Sequence, residues 1–466
     1  MGDNKEKEVP LSVSNGEAVA VILGILTVIG VGLIAYEAPP HVPIFFVVML
    51  LVVYSFVRRV PWRETEAGMI QGIQAGIVPI VIFILIGVLI SVWMSAGTIP
   101  TFIYYSFQVI DPSIFVASVF VVTAVVGVSI GSSFTTASTI GVSFMTLAAM
   151  MDMNLALVAG AVVSGALVGD KMSPLSDTTN LASSVGRVDL FEHIRHMMWT
   201  TLPAFVITLL LYLIIGSGGT NVDMSALQVL MGEMHEAQII HPLSLLPAVV
   251  IVILAVRRTP AIPTMLAGIG TGLLVTIFMN PGYSVSEFLL FIQEGYAPAT
   301  ENEELNEMLA QGGIEGMMWP VSLLILTLSM GGMLQSFGLI QQLMTMVQSF
   351  VKSSGRLITS TVGTALGINL TLGEQYMSVI LTGKAYEERY QDLGLARKNM
   401  TRAIENGGTL INAIIPYGVS GVFMASVLEV DVLAFAPFAF FCLLGPILAL
   451  LYGWTGKSMP KEEGRV

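Results

Sequence analysis

The chain is 466 residues long, 54% hydrophobic and only 11% charged, with a formal net charge of −12 and a mean hydropathy of +0.81. So few charges cannot coat a soluble domain of this size. The one cysteine, Cys442, excludes an intrachain disulfide.

A bilayer is spanned by about 20 apolar residues, and the chain supplies many such runs. Residues 1–16 form a charged tail (Asp3, Lys5, Glu6, Lys7 and Glu8) without a small-residue cleavage site after it. The run 17–35 is therefore expected to be a retained span and not a signal peptide. Runs 43–57, 76–96, 113–131, 154–168 and 197–216 complete a first half, 17–216. After a connecting loop, 217–242, a second half over 243–453 carries runs 243–256, 262–279, 317–337, 357–372, 408–427 and 432–453. Residues 454–466 form a second tail. The expected fold class is an all-α polytopic membrane protein.

Lysine and arginine fall in clusters, around 58–63, 187–195, 257–258, 352–356, 384–402 and both tails. Cytoplasmic loops keep Lys and Arg, and one threading satisfies every cluster with both termini inside. The opposite loops, 97–112, 217–242, 280–316 and 428–431, are poor in base; 280–316 holds seven glutamates and no Lys or Arg. Lys171 is the exception.

The halves resemble one another. VPIVIFILIGVLISVWMSAGTI (78–99) matches WPVSLLILTLSMGGMLQSFGLI (319–340) at Pro79 and Pro320, Gly97 and Gly338. GVSIGSSFT (127–135) matches GTALGINLT (363–371), and SGALVGDKMSP (164–174) matches NGGTLINAIIP (406–416), pairing Gly165 with Gly407 and Pro174 with Pro416. The charge map gives the matched segments opposite orientations. Inverted repeats are the architecture of many secondary transporters, so transport is the favoured class. The threading also makes 113–150 and 357–383 leave and return on one side, as re-entrant hairpins or broken helices. Their midpoints are polar: Ser129, Ser132, Ser133, Thr135, Thr136, Ser138 and Thr139 in the first; Asn369, Thr371 and Glu374 in the second. Small-residue packing is the alternative for individual hydroxyls.

Gly169-Asp170-Lys171-Met172-Ser173-Pro174-Leu175-Ser176-Asp177 puts three charges and a proline at the end of an apolar run. Charges within membrane segments mark ion or substrate paths. Pro174 removes the N–H that would bond the Asp170 carbonyl, and Pro416 does the same to Asn412. Asp170, Ser173 and Asp177 would share a face if the helix resumes. These oxygens suit a hard cation such as Na+, and no His/Cys cluster suits zinc. A straight helix would instead leave Lys171 at the cytoplasmic edge as an interfacial anchor. The apolar sequence beyond Pro416 favours a break inside the membrane. Lys171 either pairs with Asp170 or Asp177 or loses its proton when the cation binds. Glu374 and Glu405 are the other carboxylates in apolar context.

GDKMSPLSDTTNLA (169–182), followed by VDLFEHIRHM (188–197) and preceded by GSSFTTASTIG (131–141), resembles the NhaC-type Na+/H+ antiporter family. WRETEAGMIQGI (62–73) and SAGTIPTFIYY (95–105) extend the resemblance over nearly the whole chain. It implies a multi-pass antiporter of the bacterial or archaeal inner membrane, with Asp170 and Asp177 as cation and proton carboxylates. Ser173, Thr178, Thr179 and Asn180 would be supporting ligands. The wider superfamily implies a homodimer. Na+ and H+ would be cargo; no cofactor and no nucleic-acid partner are expected.

The second half departs from the family pattern. Glu374 stands where an aspartate is expected before Gln-Tyr, and Asn406 stands in Glu405–Thr409 where a second acid is expected. The alternative is therefore a Na+/H+-coupled exchanger of organic acids, such as malate and lactate, or of amino acids. The lack of an arginine in any predicted span favours a cation-only exchanger. A hydrolase would need a nucleophile and base in reach of each other. The five histidines are read as lying in loops or interfaces, with His193 and His196 on a solvated helix surface, so no enzyme activity is expected.

Overall fold

The computed structural model describes residues 13–462 except 110, 217–231, 233, 235–238, 281, 298–305, 307–308, 349–350 and 352. Most of loop 217–242, part of loop 280–316 and His235 lie outside the described residues. Within them every regular element is a helix, with only the isolated bridges Tyr296–Gln311 and Leu395–Lys461 besides. Eight described helices are long and apolar enough to cross a membrane. A ninth candidate, Val419–Leu428 with Val432–Phe438, is bent by 91°. The chain is an all-α, multi-pass membrane protein.

Burial sorts the spans. Ser133–Met150 and Leu155–Met172 are each 83% buried, whereas Asn15–Ala35 and Leu190–Gly216 are 22% and 28% buried. The outer helices turn Ile34, Val57, Ile214 and Phe278 outward, a surface fit for lipid tails and not for water. The central pair is also the most polar. Ser133–Met150 has the lowest hydropathy of the eight, 1.2. Its hydroxyls are largely spent on its own backbone: Thr136 donates to the Ser132 carbonyl at 2.8 Å and Thr139 to that of Thr135 at 2.6 Å.

Two helix pairs share one design. Phe115–Ile130 stops at Gly131, whose φ of +76° is left-handed, and Ser132 caps Ser133–Thr136 by accepting the Thr135 N–H at 3.3 Å. Ser354–Leu372 stops at Gly373, with φ +67°, and Glu374 caps Gln375–Asp392 by accepting the Met377 N–H at 2.6 Å. Only glycine adopts such a turn without strain. The arms Pro112–Ile130 and Ser133–Met150 are each long enough to cross, longer than short re-entrant limbs.

Two discontinuous helices follow. Leu155–Met172 ends before Pro174 and resumes at Asp177–Gly186. Arg397–Ile404 runs through a π turn to Asn412, breaks across Pro416, and resumes at Val419. The structure corrects the register of the central sequence match. Gly131 corresponds to Gly373, not to Gly367, with the same spacing as Gly165 to Gly407 and Pro174 to Pro416. Gly97 and Gly338, at φ +70° and +76°, likewise end matching helices.

Glycines set how closely the first broken helix approaches its neighbour. A Cβ on Gly169 would lie 2.4 Å from the Gly127 Cα, and one on Gly165 would lie 1.9 Å from the Thr123 hydroxyl. The GALVG sequence thus lets two backbones touch, as small-xxx-small stripes do. Gly169→Val is expected to lower the melting temperature in detergent, reflecting an overpacking cost of about 1–3 kcal/mol or more. Gly270→Val, where a Cβ meets nothing within 4 Å, is the control. Equal melting temperatures for the two variants would contradict this packing.

Candidate functional site

The first break opens onto a cavity of 790 Å³ whose wall includes Ser132, Ser133, Thr135, Asp170, Asp177 and Asn180. The turn at Gly131 brings the Ser133–Met150 helix start against the break, where a Cβ on Gly131 would meet Ser173 and Leu175. Val78 and Pro79 from Ile77–Ser95, and Arg258 to Thr264, complete one end. That end carries the basic 257–258 cluster.

Asp170 is 4% exposed. Its Oδ2 accepts the Ser133 hydroxyl at 2.7 Å and the Ser133 N–H at 3.4 Å, while its Oδ1 has no hydrogen-bond partner. An ionised carboxylate out of water needs its oxygens satisfied; here one oxygen is held and the other is not. Asp177 lies across the break and is exposed. Its Oδ1 accepts the Thr178 N–H at 2.9 Å, and its Oδ2 accepts the Tyr376 hydroxyl. The two aspartates meet at one cavity without sharing a helix face, because Ser173–Ser176 is not helical.

The expected bare carbonyl at Asp170 is instead shared. The Thr179 hydroxyl lies 3.4 Å from the Asp170 carbonyl and 3.3 Å from that of Lys171. Asn180 donates to the carbonyls of Pro174 at 3.0 Å and Ser176 at 2.6 Å. These side chains take over from the N–H that Pro174 lacks, so they hold the break in shape. Ser173 accepts the Leu175 N–H at 3.2 Å, and Thr178 faces Ser176 at 3.0 Å. Thr136 is fully buried behind the tip.

Lys171 points elsewhere. Its Nζ donates to Asn406 Oδ1 at 2.6 Å and lies 5.9 Å from the Phe441 ring centre. It makes no ion pair with Asp170 or Asp177.

The second break is a filled network of neutral amides. Asn412 stands four residues before Pro416, as Asp170 stands before Pro174. It donates to Asn369 Oδ1 at 3.0 Å and to the Gly373 carbonyl at 3.2 Å, and accepts the Ser420 N–H at 2.7 Å. Asn369 donates to the Gly408 carbonyl at 2.6 Å. Thr371 bonds the Gly367 carbonyl of its own helix at 2.8 Å. Glu374 keeps an unpartnered Oε1 and lines a separate 320 Å³ cavity with Gln71, Gln74 and Gln335. Glu405 and Thr409 are buried and line neither cavity.

Three features escaped the sequence reading. Tyr376 reaches Asp177 from the second tip. Arg258 lines the cavity, and Arg402 is 1% exposed, although neither lies in a predicted span. His193 and His196 are buried, at 0% and 6% exposure, and not solvated: their i, i+3 face packs against the Arg397–Ile404 helix.

On the opposite end a 720 Å³ cavity is lined by Glu37, Trp319, Pro416, Val422, Glu429 and Asp431, among others. Phe83, Phe134 and Phe423 form one aromatic cluster, and Val422, next to Phe423, lines the second cavity. Phe134 lines the first cavity and stacks on Phe423 at 4.2 Å, and Phe423 meets Phe83 edge-on at 5.0 Å.

Comparison with known proteins gives a consistent answer. The sequence profile of the Na+/H+ antiporter family matches residues 9–179 and 165–457. The chain is 40% identical to "Na(+)/H(+) antiporter NhaC" of Alkalihalophilus pseudofirmus, over 95% of this chain and 96% of that one. It is 39% identical to the protein of the same name from Bacillus subtilis, over 94% and 98%. It is also 32% identical to the "Malate-2H(+)/Na(+)-lactate antiporter" of Bacillus subtilis, over 94% of each chain.

Proposed function

Because the chain belongs to the Na+/H+ antiporter family, we propose that it exchanges Na+ or Li+ for H+ by alternating access, with Asp170 as the carboxylate that carries both. The observation that carries this reading is the Asp170 side chain: one oxygen is fixed by Ser133 and the other is buried without a hydrogen-bond partner, on a residue that lines a 790 Å³ cavity. A cation and a proton compete for that oxygen, so neither crosses without the other being released. Asp177, Ser132, Thr135 and Asn180 line the same cavity and would offer the ion further oxygens. Thr178, Thr179 and Ser173 hold the broken backbone.

The matching turns and breaks of the two halves support an inverted repeat, with both termini in the cytoplasm of a bacterial or archaeal cell. In that orientation the cavity at Arg258 faces inward. A homodimer is part of this reading. The test is a pH-dye assay in liposomes: NaCl or LiCl alone should collapse an imposed proton gradient. A collapse that needs malate or lactate as well would overturn it.

A second reading, organic-acid exchange, draws on Arg258 at the cavity and on a volume larger than an ion needs, within the roughly 300–1,000 Å³ of small-molecule sites. Arg258→Gln discriminates. Cation exchange predicts Na+-driven collapse within about twofold of the parent protein, since an exposed charge contributes little. Organic-acid exchange predicts loss of the malate- or lactate-driven signal.

A further inference from the structure

The second carboxylate of the cavity, Asp177, has both oxygens engaged, and one partner comes from the other half of the chain. Asp177 lies in the first turn of Asp177–Gly186, where Ser176 caps the helix by accepting the Thr179 N–H at 3.3 Å. Its Oδ1 accepts the Thr178 N–H at 2.9 Å, and free N–H groups make a first helical turn a good place for an anion. Its Oδ2 accepts the hydroxyl of Tyr376, 199 residues away in the first turn of Gln375–Asp392. That tip is itself tied down. Glu374 accepts the Met377 N–H at 2.6 Å, and Gln375 accepts the Ser420 hydroxyl at 3.1 Å, just beyond the second break. The Ser420 N–H in turn donates to Asn412. Asp170, Asp177, Gln375 and Tyr376 all line the 790 Å³ cavity. Among the described residues Asp177 forms no ion pair, not even with Arg258 on the same wall.

We propose that Tyr376 is a positioning residue for exchange: its hydroxyl latches the Asp177 carboxylate to the second tip while the site is empty, and an entering cation takes the hydroxyl's place. A phenol suits this task. It donates one hydrogen bond and carries no charge, so it occupies a carboxylate oxygen without neutralising it. A lysine or arginine at the same position would be a permanent counter-ion, and Na+ would then have to displace a full charge. The latch also joins the two halves, because it runs from the first break through Tyr376 and Gln375 to Ser420 and the second break. A cation that draws Asp177 toward Asp170 therefore releases the contact between halves. A ligand shifts a conformational equilibrium only by its difference in affinity for the two states, and exchanging the hydroxyl for the ion supplies such a difference at the site itself. A tyrosine serving only to pack the tip would act on stability and not through Asp177.

The effect on exchange rests on the antiporter reading, while release of the hydroxyl by a cation is read separately. Tyr376→Phe keeps the ring and removes only the hydroxyl. In liposomes it should lower the NaCl concentration for half-maximal collapse of a proton gradient by about fivefold, the size expected of one partly exposed hydrogen bond, and change the maximal rate by less. Combined with Asp177→Asn, the same substitution should have no further effect, since the two residues act as one unit. In infrared difference spectra of the purified parent, NaCl should shift the tyrosine C–O band, and both Tyr376→Phe and Asp177→Asn should lose that shift. Either variant suffices if the other does not fold. A half-maximal concentration that is unchanged or raised in Tyr376→Phe would overturn the latch. So would an equal effect in the Asp177→Asn background, or an unmoved tyrosine band in a parent that exchanges Na+. A parent that exchanges no cation would overturn the antiporter reading, and the spectra would then decide alone: the latch stands if NaCl still shifts the band and falls if it does not.

Discussion

Asp170→Asn is expected to reduce Na+-driven collapse of a proton gradient to the level of protein-free liposomes. The replacement is nearly isosteric. Its amide oxygen can still accept the Ser133 hydroxyl that now bonds Oδ2 at 2.7 Å, so the turn at Gly131 keeps its contact with the break. What disappears is the charge and the unpartnered Oδ1, and with them the competition between cation and proton. The melting temperature should stay near the parent's, since removing a buried charge relieves desolvation. Asp177→Asn should do less. Both Asp177 oxygens already accept hydrogen bonds, from Thr178 and Tyr376, and the residue is exposed. Its loss should raise the Na+ concentration for half-maximal exchange by about tenfold, equivalent to about 1.4 kcal/mol. Full activity in Asp170→Asn would remove it from the exchange site.

Phe423→Ala should uncouple the protein. Phe423 is 0% exposed and fills the space between Phe134, which lines the inner cavity, and Phe83. Its neighbour Val422 lines the outer cavity. Truncating a buried Phe costs about 3–5 kcal/mol and leaves a void, here joining two cavities of 790 and 720 Å³. Liposomes carrying the variant should lose an imposed pH gradient severalfold faster before any NaCl is added. Phe423→Leu, which keeps most of the volume, should stay tight. A gradient held equally well by Phe423→Ala and the parent would show that the three rings do not seal the path.

The membrane class, most spans and the first break were legible in the sequence because each rests on a local signal. Apolar runs mark spans, and Pro174 with its three neighbouring charges marks a discontinuity. The glycine matches between the halves were legible too, but not their register: two similar glycines, Gly367 and Gly373, compete, and only the left-handed turn distinguishes them. Burial of His193, His196 and Arg402 was illegible for a different reason. Each lies near a cluster of bases that reads as a solvated face, and only packing between segments some 200 residues apart in sequence covers them, as Lys398 on Glu192 shows. Lys171 reads as the natural partner of its neighbouring aspartates. Consecutive helix positions point about 100° apart, however, and its amine reaches Asn406. Tyr376 could be quoted as part of a tip motif, yet its contact with Asp177 depends on how the two tips meet.

Competition at one carboxylate has a quantitative signature: equilibrium Na+ binding to the purified protein, followed as a function of pH. If Asp170 carries either ion, each Na+ bound releases one proton, and below the titration of the site the apparent affinity falls about tenfold per pH unit. Asp170→Asn should show no such binding. Na+ affinity independent of pH, or binding that survives unchanged in Asp170→Asn, would contradict exchange at this residue.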